Sequence, residues 1–152
     1  MRKKAWRRGT TAVETAIVFP LLVLVTLGAI HYGWLFLKAQ QITNAARMAV
    51  RMAVLPDATK LGVDNAVGDL FGPLKGNISD YTVTYYVTPI VEATGEPDIE
   101  NRAEIVNLAQ NSGDLITVWI TVPRASVDFM NASLFPTPDE LKASATMTKE
   151  GP

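Results

Sequence analysis

The feature that most limits what this chain can become is a run of 23 residues without a formal charge, Thr15 to Leu37. As an α-helix rising 1.5 Å per residue it would be about 35 Å long, enough to cross a ~30 Å hydrocarbon core with some tilt. A core helix of a soluble protein rarely stays uncharged for so long. A secretory signal also follows basic residues, but its apolar core covers about 7–15 residues and ends at a small-residue cleavage site. Here the helical pattern continues well past the apolar stretch. Pro20 removes one N–H from the ladder, which membrane helices tolerate where neighbours satisfy the freed carbonyl. The run therefore reads as one spanning helix, with the transmembrane part at about 15–37.

Charge supplies the orientation. The chain holds 14 basic and 15 acidic residues, but they are segregated. Arg2, Lys3, Lys4, Arg7 and Arg8 stand in the first eight positions with no acid among them, while residues 10–152 carry nine basic and fifteen acidic groups. Basic residues before the run, and only Lys38 directly after it, put the N-terminus in the cytoplasm and the body outside. His31, Tyr32 and Trp34 near the far end resemble interfacial anchors. An acidic body with a short basic end lacks the broad basic face that nucleic acid requires. With no cysteine, disulfides, thiolate zinc sites and thiol catalysis are excluded. The single histidine, His31, removes most histidine-based metal and Ser-His-Asp schemes. No enzymatic activity, cofactor or metal is expected.

Glu14 is the oddity, a carboxylate beside the apolar zone that costs about 1–3 kcal/mol there unless paired. One reading makes Thr11-x-x-Glu14 a capping box that satisfies the first amides of the helix. The other uses Gly9: a cut after it would give Thr10 an ammonium, with Glu14 as its (i, i+4) neighbour or as partner to an adjacent subunit's ammonium. Both can hold together. The cut also explains why the basic residues stop at Gly9.

A basic leader, Gly9, four residues, Glu14 and a long apolar helix together resemble the class III signal of type IV pilins and pseudopilins. The string Arg8-Gly-Thr-Thr-Ala-Val-Glu-Thr-Ala-Ile-Val-Phe-Pro-Leu-Leu22 is similar to the TadE-like family of the Tad (Flp) pilus system. Gly28, Gly33-Trp34 and Gln41-Ile-Thr-Asn-Ala-Ala-Arg-Met-Ala-Val-Arg51 continue the likeness, which is close over about residues 7–55. Thr15 departs from it, standing where that family usually has a bulky residue. The resemblance implies that residues 1–9 are a leader removed by a prepilin peptidase at Gly9–Thr10, leaving Thr10 as the mature N-terminus. It implies that Glu14 is the assembly carboxylate, neutralising an N-terminal ammonium as the subunit leaves the bilayer. The implied partners are the peptidase, other pilin or pseudopilin subunits, the assembly platform and inner-membrane lipid. The implied location is the bacterial inner membrane with a periplasmic domain, or the outside of the cell in an assembled pilus serving adhesion or secretion. A reading from another class remains: an unprocessed single-pass periplasmic binding or scaffold protein, in which Gly9 and Glu14 mark only a helix start.

Residues 38–54 extend the helix as a stem, making one long element over 10–55. Ile42, Ala45, Ala46, Ala49 and Ala53 share a face at helical spacing, and the alanines allow a close neighbour. Arg47 and Arg51 stand one turn apart, read either as a solvated or lipid-headgroup face or as contacts to acids of a neighbouring subunit. Residues 56–152 are expected to form an extracytoplasmic α+β domain. Asp57–Phe71 reads as a short helix with Asp57 as its cap and Leu61, Val67, Leu70 and Phe71 as contacts. Gly72-Pro73 and Gly76-Asn77 break the chain. Tyr81–Thr88 alternates as a strand with Tyr81, Val83, Tyr85 and Val87 on one face. Ile105, Val106, Leu108 and Ala109 suggest a helical turn, and Asn111–Asp114 turns into a strand over Leu115–Val122. A third strand is expected at Leu141–Lys149. The fold class is thus a pilin-like α+β lollipop, a long N-terminal helix packed on an antiparallel sheet of about three strands. Glu92, Glu96, Asp98, Glu100 and Glu104 lack the glycine and spacing of a calcium loop. The sequons at Asn77 and Asn131 are patterns that short polar loops produce by chance.

Overall fold

The computed structural model describes residues 7–72, 78–90, 102–105, 107–108, 113–127 and 136–149, with side chains from Thr11 onward. Helix α1 spans Arg7–Ala53 without a break, passing through Pro20. Three hydroxyls turn back onto the ladder: Thr15, Thr26 and Thr43 donate to the carbonyls of Thr11, Leu22 and Ala39 at 2.7–2.8 Å. This is how a hydroxyl satisfies itself inside a helix where water is scarce.

After a tight elbow, α2 covers Lys60–Phe71. Its N-cap is Thr59, whose hydroxyl accepts from the Gly62 N–H at 3.2 Å, so Asp57 does not cap it. The helix begins three residues later than the expected Asp57 start, because Pro56 and Asp57 are taken up by the turn that reverses the chain. Val63, Val67 and Phe71 form the buried face, four residues apart, whereas Leu61 is 70% exposed and makes no core contact.

The sheet is fully antiparallel in the order β2-β1-β3-β4, with β1 at Thr82–Thr88, β2 at Ala103–Glu104, β3 at Leu115–Pro123 and β4 at Glu140–Thr148. Three of the four are the expected strands. The fourth, β2, pairs two residues with Tyr86 and Val87, and the Ile105 N–H then donates to the Tyr85 carbonyl at 2.9 Å. Pairing therefore takes Ile105 out of the expected helical turn, whereas Leu108 has 3-10 helical backbone and is buried; Val106 and Ala109 lie outside the described residues. Gly113 enters β3 at φ +88°, a conformation that favours glycine.

Register sorts the side chains onto two faces. Val83–Ile120–Ala143, Tyr85–Val118–Ala145 and Val87–Ile116–Met147 line up across β1, β3 and β4 on the inner face. Thr82, Thr84 and Tyr86 align with Thr121, Trp119 and Thr117 on the outer face, where the Thr117 and Thr146 hydroxyls bond at 2.8 Å. The inner face meets α1, chiefly through β4 and β3. Ile42, Ala45, Ala46, Ala49 and Ala53 are all buried, with Val50 and Val54 beside them. The alanine stripe of the sequence is thus the face the sheet packs on. Small side chains there let the helix lie close to the strands, and the larger Ile42 and Val50 fill the space at each level.

One charge is buried in this joint. Lys149, just past β4, donates from its ammonium to the Leu55 carbonyl and to the Ala53 carbonyl at 3.3 Å. It closes the C-terminal end of α1, where orphan carbonyls and the negative dipole end favour a cation. Burial holds this ammonium below the ordinary lysine value, while Asp57 pulls it up.

Candidate functional site

The candidate site is the N-terminal half of α1. From Thr11 to Leu27 no side chain is buried, and only Val23 is partly covered. Large apolar groups point outward on every side, Ile17 at 71% exposure among them. Length and composition make Thr11–Ala53 able to cross a membrane. Within its uncovered part Glu14 is the one charged residue. It is exposed and forms no ion pair among the described residues.

The structure changes the expected environment of Glu14. Because α1 starts at Arg7, Thr11 lies in the helix body and the Thr11–Glu14 capping box does not form. Residues 7–10 put the first described turn of the helix upstream of Thr11. Gly9 and Thr10 lie in continuous helical backbone, which sets Thr10 and Glu14 one turn apart, about 6 Å along the axis. A carboxylate four residues from a free N-terminal ammonium would be within pairing reach on one helix face.

Arg47 and Arg51 are exposed on the side of α1 turned away from the sheet, and neither is in an ion pair among the described residues. They stand roughly 25 Å and 31 Å along the axis from Ile30, where the uncovered half gives way to the domain. Glu14 and this arginine pair thus lie far apart on one helix. Among the described residues no group of three or more His, Asp or Glu is placed to hold a metal ion. Of the acidic set, Glu104 lies in β2; Glu92, Glu96, Asp98 and Glu100 fall outside the described residues, as do Asn77 and Asn131 of the sequons.

A second cluster marks where the helix meets the domain. His31, Leu35 and Lys38 are buried in one stripe. The Tyr32 hydroxyl donates to the Pro136 carbonyl at 3.0 Å, and the Trp34 indole N–H to the Val127 carbonyl at 2.8 Å. The Lys38 ammonium lies 4.9 Å from the Trp34 ring centroid, a cation–π distance, and burial keeps its pKa below the ordinary lysine value. The sequence marks the aromatics as anchors. It gives no signal that their polar ends bond to carbonyls 104 and 93 residues away.

Residues 9–51 match the family described as TadE-like protein. The matched stretch is α1 almost in full and less than a third of the 152 residues; the sheet domain lies outside it. No curated protein and no solved structure matches the chain. The TadE-like resemblance is therefore shown for the N-terminal helix, and it supports a pilus-associated protein of a Tad system with a membrane-capable anchor.

Proposed function

We propose that this chain is a pseudopilin or minor pilin subunit that is inserted in the inner membrane and then assembled into, or primes, a Tad-type pilus or its base. It acts by assembly and not by catalysis. The observation that carries the reading is the uncovered apolar half of α1, bearing Glu14 as its only charge, inside the TadE-like match. Lipid tails and the apolar helices of neighbouring subunits are alike as solvents for this surface, so one helix serves as anchor and as packing element.

In this reading a prepilin peptidase cuts Gly9–Thr10 on the cytoplasmic side. The basic leader leaves, and Thr10 gains an ammonium one turn from Glu14. A carboxylate entering an apolar bundle is costly unless paired with a cation. Pairing with the subunit's own ammonium or a neighbour's removes that penalty and favours one stagger between subunits. Arg47 and Arg51, exposed on the stem and in no ion pair among the described residues, would meet acids of a neighbouring subunit.

Substituting Glu14→Ala tests this. The variant should insert and keep its folded domain, yet fail to enter pili or to support their formation. Normal piliation by cells carrying only this variant would contradict the mechanism.

A further inference from the structure

Three observations meet at one level of α1. Burial along the helix begins at Gly28 and His31, whereas Thr11–Leu27 is bare apart from the half-covered Val23. At Tyr32 and Trp34 the helix is bonded to backbone carbonyls of irregular domain segments, Pro136 and Val127. Around the same turns Ile30, Phe36 and Leu37 point outward, Phe36 at 66% exposure, and none of the described residues comes within 4 Å of where a Cβ at Gly33 would stand.

These facts pull in opposite directions on where lipid ends. If hydrocarbon reached Leu37, irregular backbone of the domain would be drawn about 10 Å into a medium that does not tolerate it. If water reached Ile30, a cluster of large apolar side chains would be left exposed. The interfacial zone accepts both, and Tyr and Trp rings with satisfied polar ends suit it. Residues 11–30, bare as far as Leu27, are also about 30 Å long, the thickness of the hydrocarbon core.

We propose that the collar at Tyr32–Leu37 and the domain rim at Val127 and Pro136 rest in the outer interfacial zone of a phospholipid bilayer. The spanning segment is then 11–30, and the domain, not the end of the uncharged run, fixes the depth of the helix. This rests on the membrane-anchored reading above. It sets Glu14 about one turn inside the opposite boundary, close to the surface where the leader is cut.

The chain has no cysteine, so single substitutions can be labelled without background. Full-length Val18→Cys, Leu27→Cys, Gly33→Cys, Leu37→Cys and Asn44→Cys would carry a nitroxide in phosphatidylethanolamine–phosphatidylglycerol vesicles. Collision with oxygen against a water-soluble nickel chelate then reads depth. Val18 and Leu27 should be oxygen-rich and closed to nickel. Nickel access should rise several-fold by Gly33 and Leu37, and Asn44 should be aqueous. Leu37 as deep as Leu27 would overturn the proposal, as would Gly33 as aqueous as Asn44. Val18 and Leu27 as aqueous as Asn44 would overturn the anchored reading itself.

Discussion

Thr11–Leu27 and Gly28–Ala53 belong to one continuous helix, yet their side chains face different surroundings. The first half is apolar apart from Glu14 and a few threonines, and only Val23 in it is partly covered. The second is amphipathic, its small residues turned to a sheet and its arginines to the outside. A helix that is apolar all round needs a solvent of lipid or other helices, whereas a one-sided helix needs a domain. The difference shows how one element can anchor, pack and carry a folded head, with burial beginning near Gly28.

The strongest way to break this comparison is to truncate the same residue type in each half. Ile42→Ala should destabilise the domain by about 2–5 kcal/mol, because Ile42 is fully packed against it. Ile17→Ala should shift its unfolding by no more than about 0.5 kcal/mol. Denaturant unfolding of the full chain in detergent, followed by tryptophan fluorescence, measures both. Equal losses would show that the two halves are not distinct. Next in size, Ala46→Leu should cost about 1–3 kcal/mol by prising α1 from the sheet, since Ala46 is fully buried.

Titration sharpens the domain side. Tyr85 is buried and its hydroxyl donates to the Asp64 carboxylate; burial first, then that carboxylate, push the phenol far above its ordinary value. The folded chain keeps this proton when the unfolded chain releases it near pH 10, so its contribution is full below pH 10 and lost above. Lys149 acts with the opposite sign. Its lowered value means that the unfolded chain holds the proton longer, so its contribution rises with pH up to about 10.5. Unfolding midpoints across pH 8–11.5 should therefore lose their alkaline fall in Tyr85→Phe and steepen it in Lys149→Met. Smallest of all, Thr59→Ala should cost about 1 kcal/mol by removing the α2 cap, read from the same unfolding curves.

Much of the molecule is legible in the sequence because its signals are local. The uncharged run, the alanine stripe at 45, 46, 49 and 53, and the alternation of β1, β3 and β4 each follow from side-chain period alone. What escapes is set by distant partners. Two residues of β2 are too few to show a period and exist as a strand only because β1 offers an edge. Lys149 looks like a polar residue at a strand end until α1 brings its last carbonyls to it. Thr59 takes the cap from Asp57 because the elbow uses up the earlier residues. At the candidate site, Gly9, Thr10 and Glu14 are singled out by motif spacing alone, and a helix starting at Arg7 removes the expected capping box. The bonds of Tyr32 and Trp34 to the domain have no local signal.

The most direct measurement is the N-terminus and intact mass of the protein recovered from membranes that contain its own prepilin peptidase. A chain beginning at Thr10, with Glu14 one turn from the new ammonium, is the predicted result. A chain still beginning at Met1, while a control prepilin in the same membranes is cut, would contradict the pseudopilin reading and leave an anchored periplasmic domain.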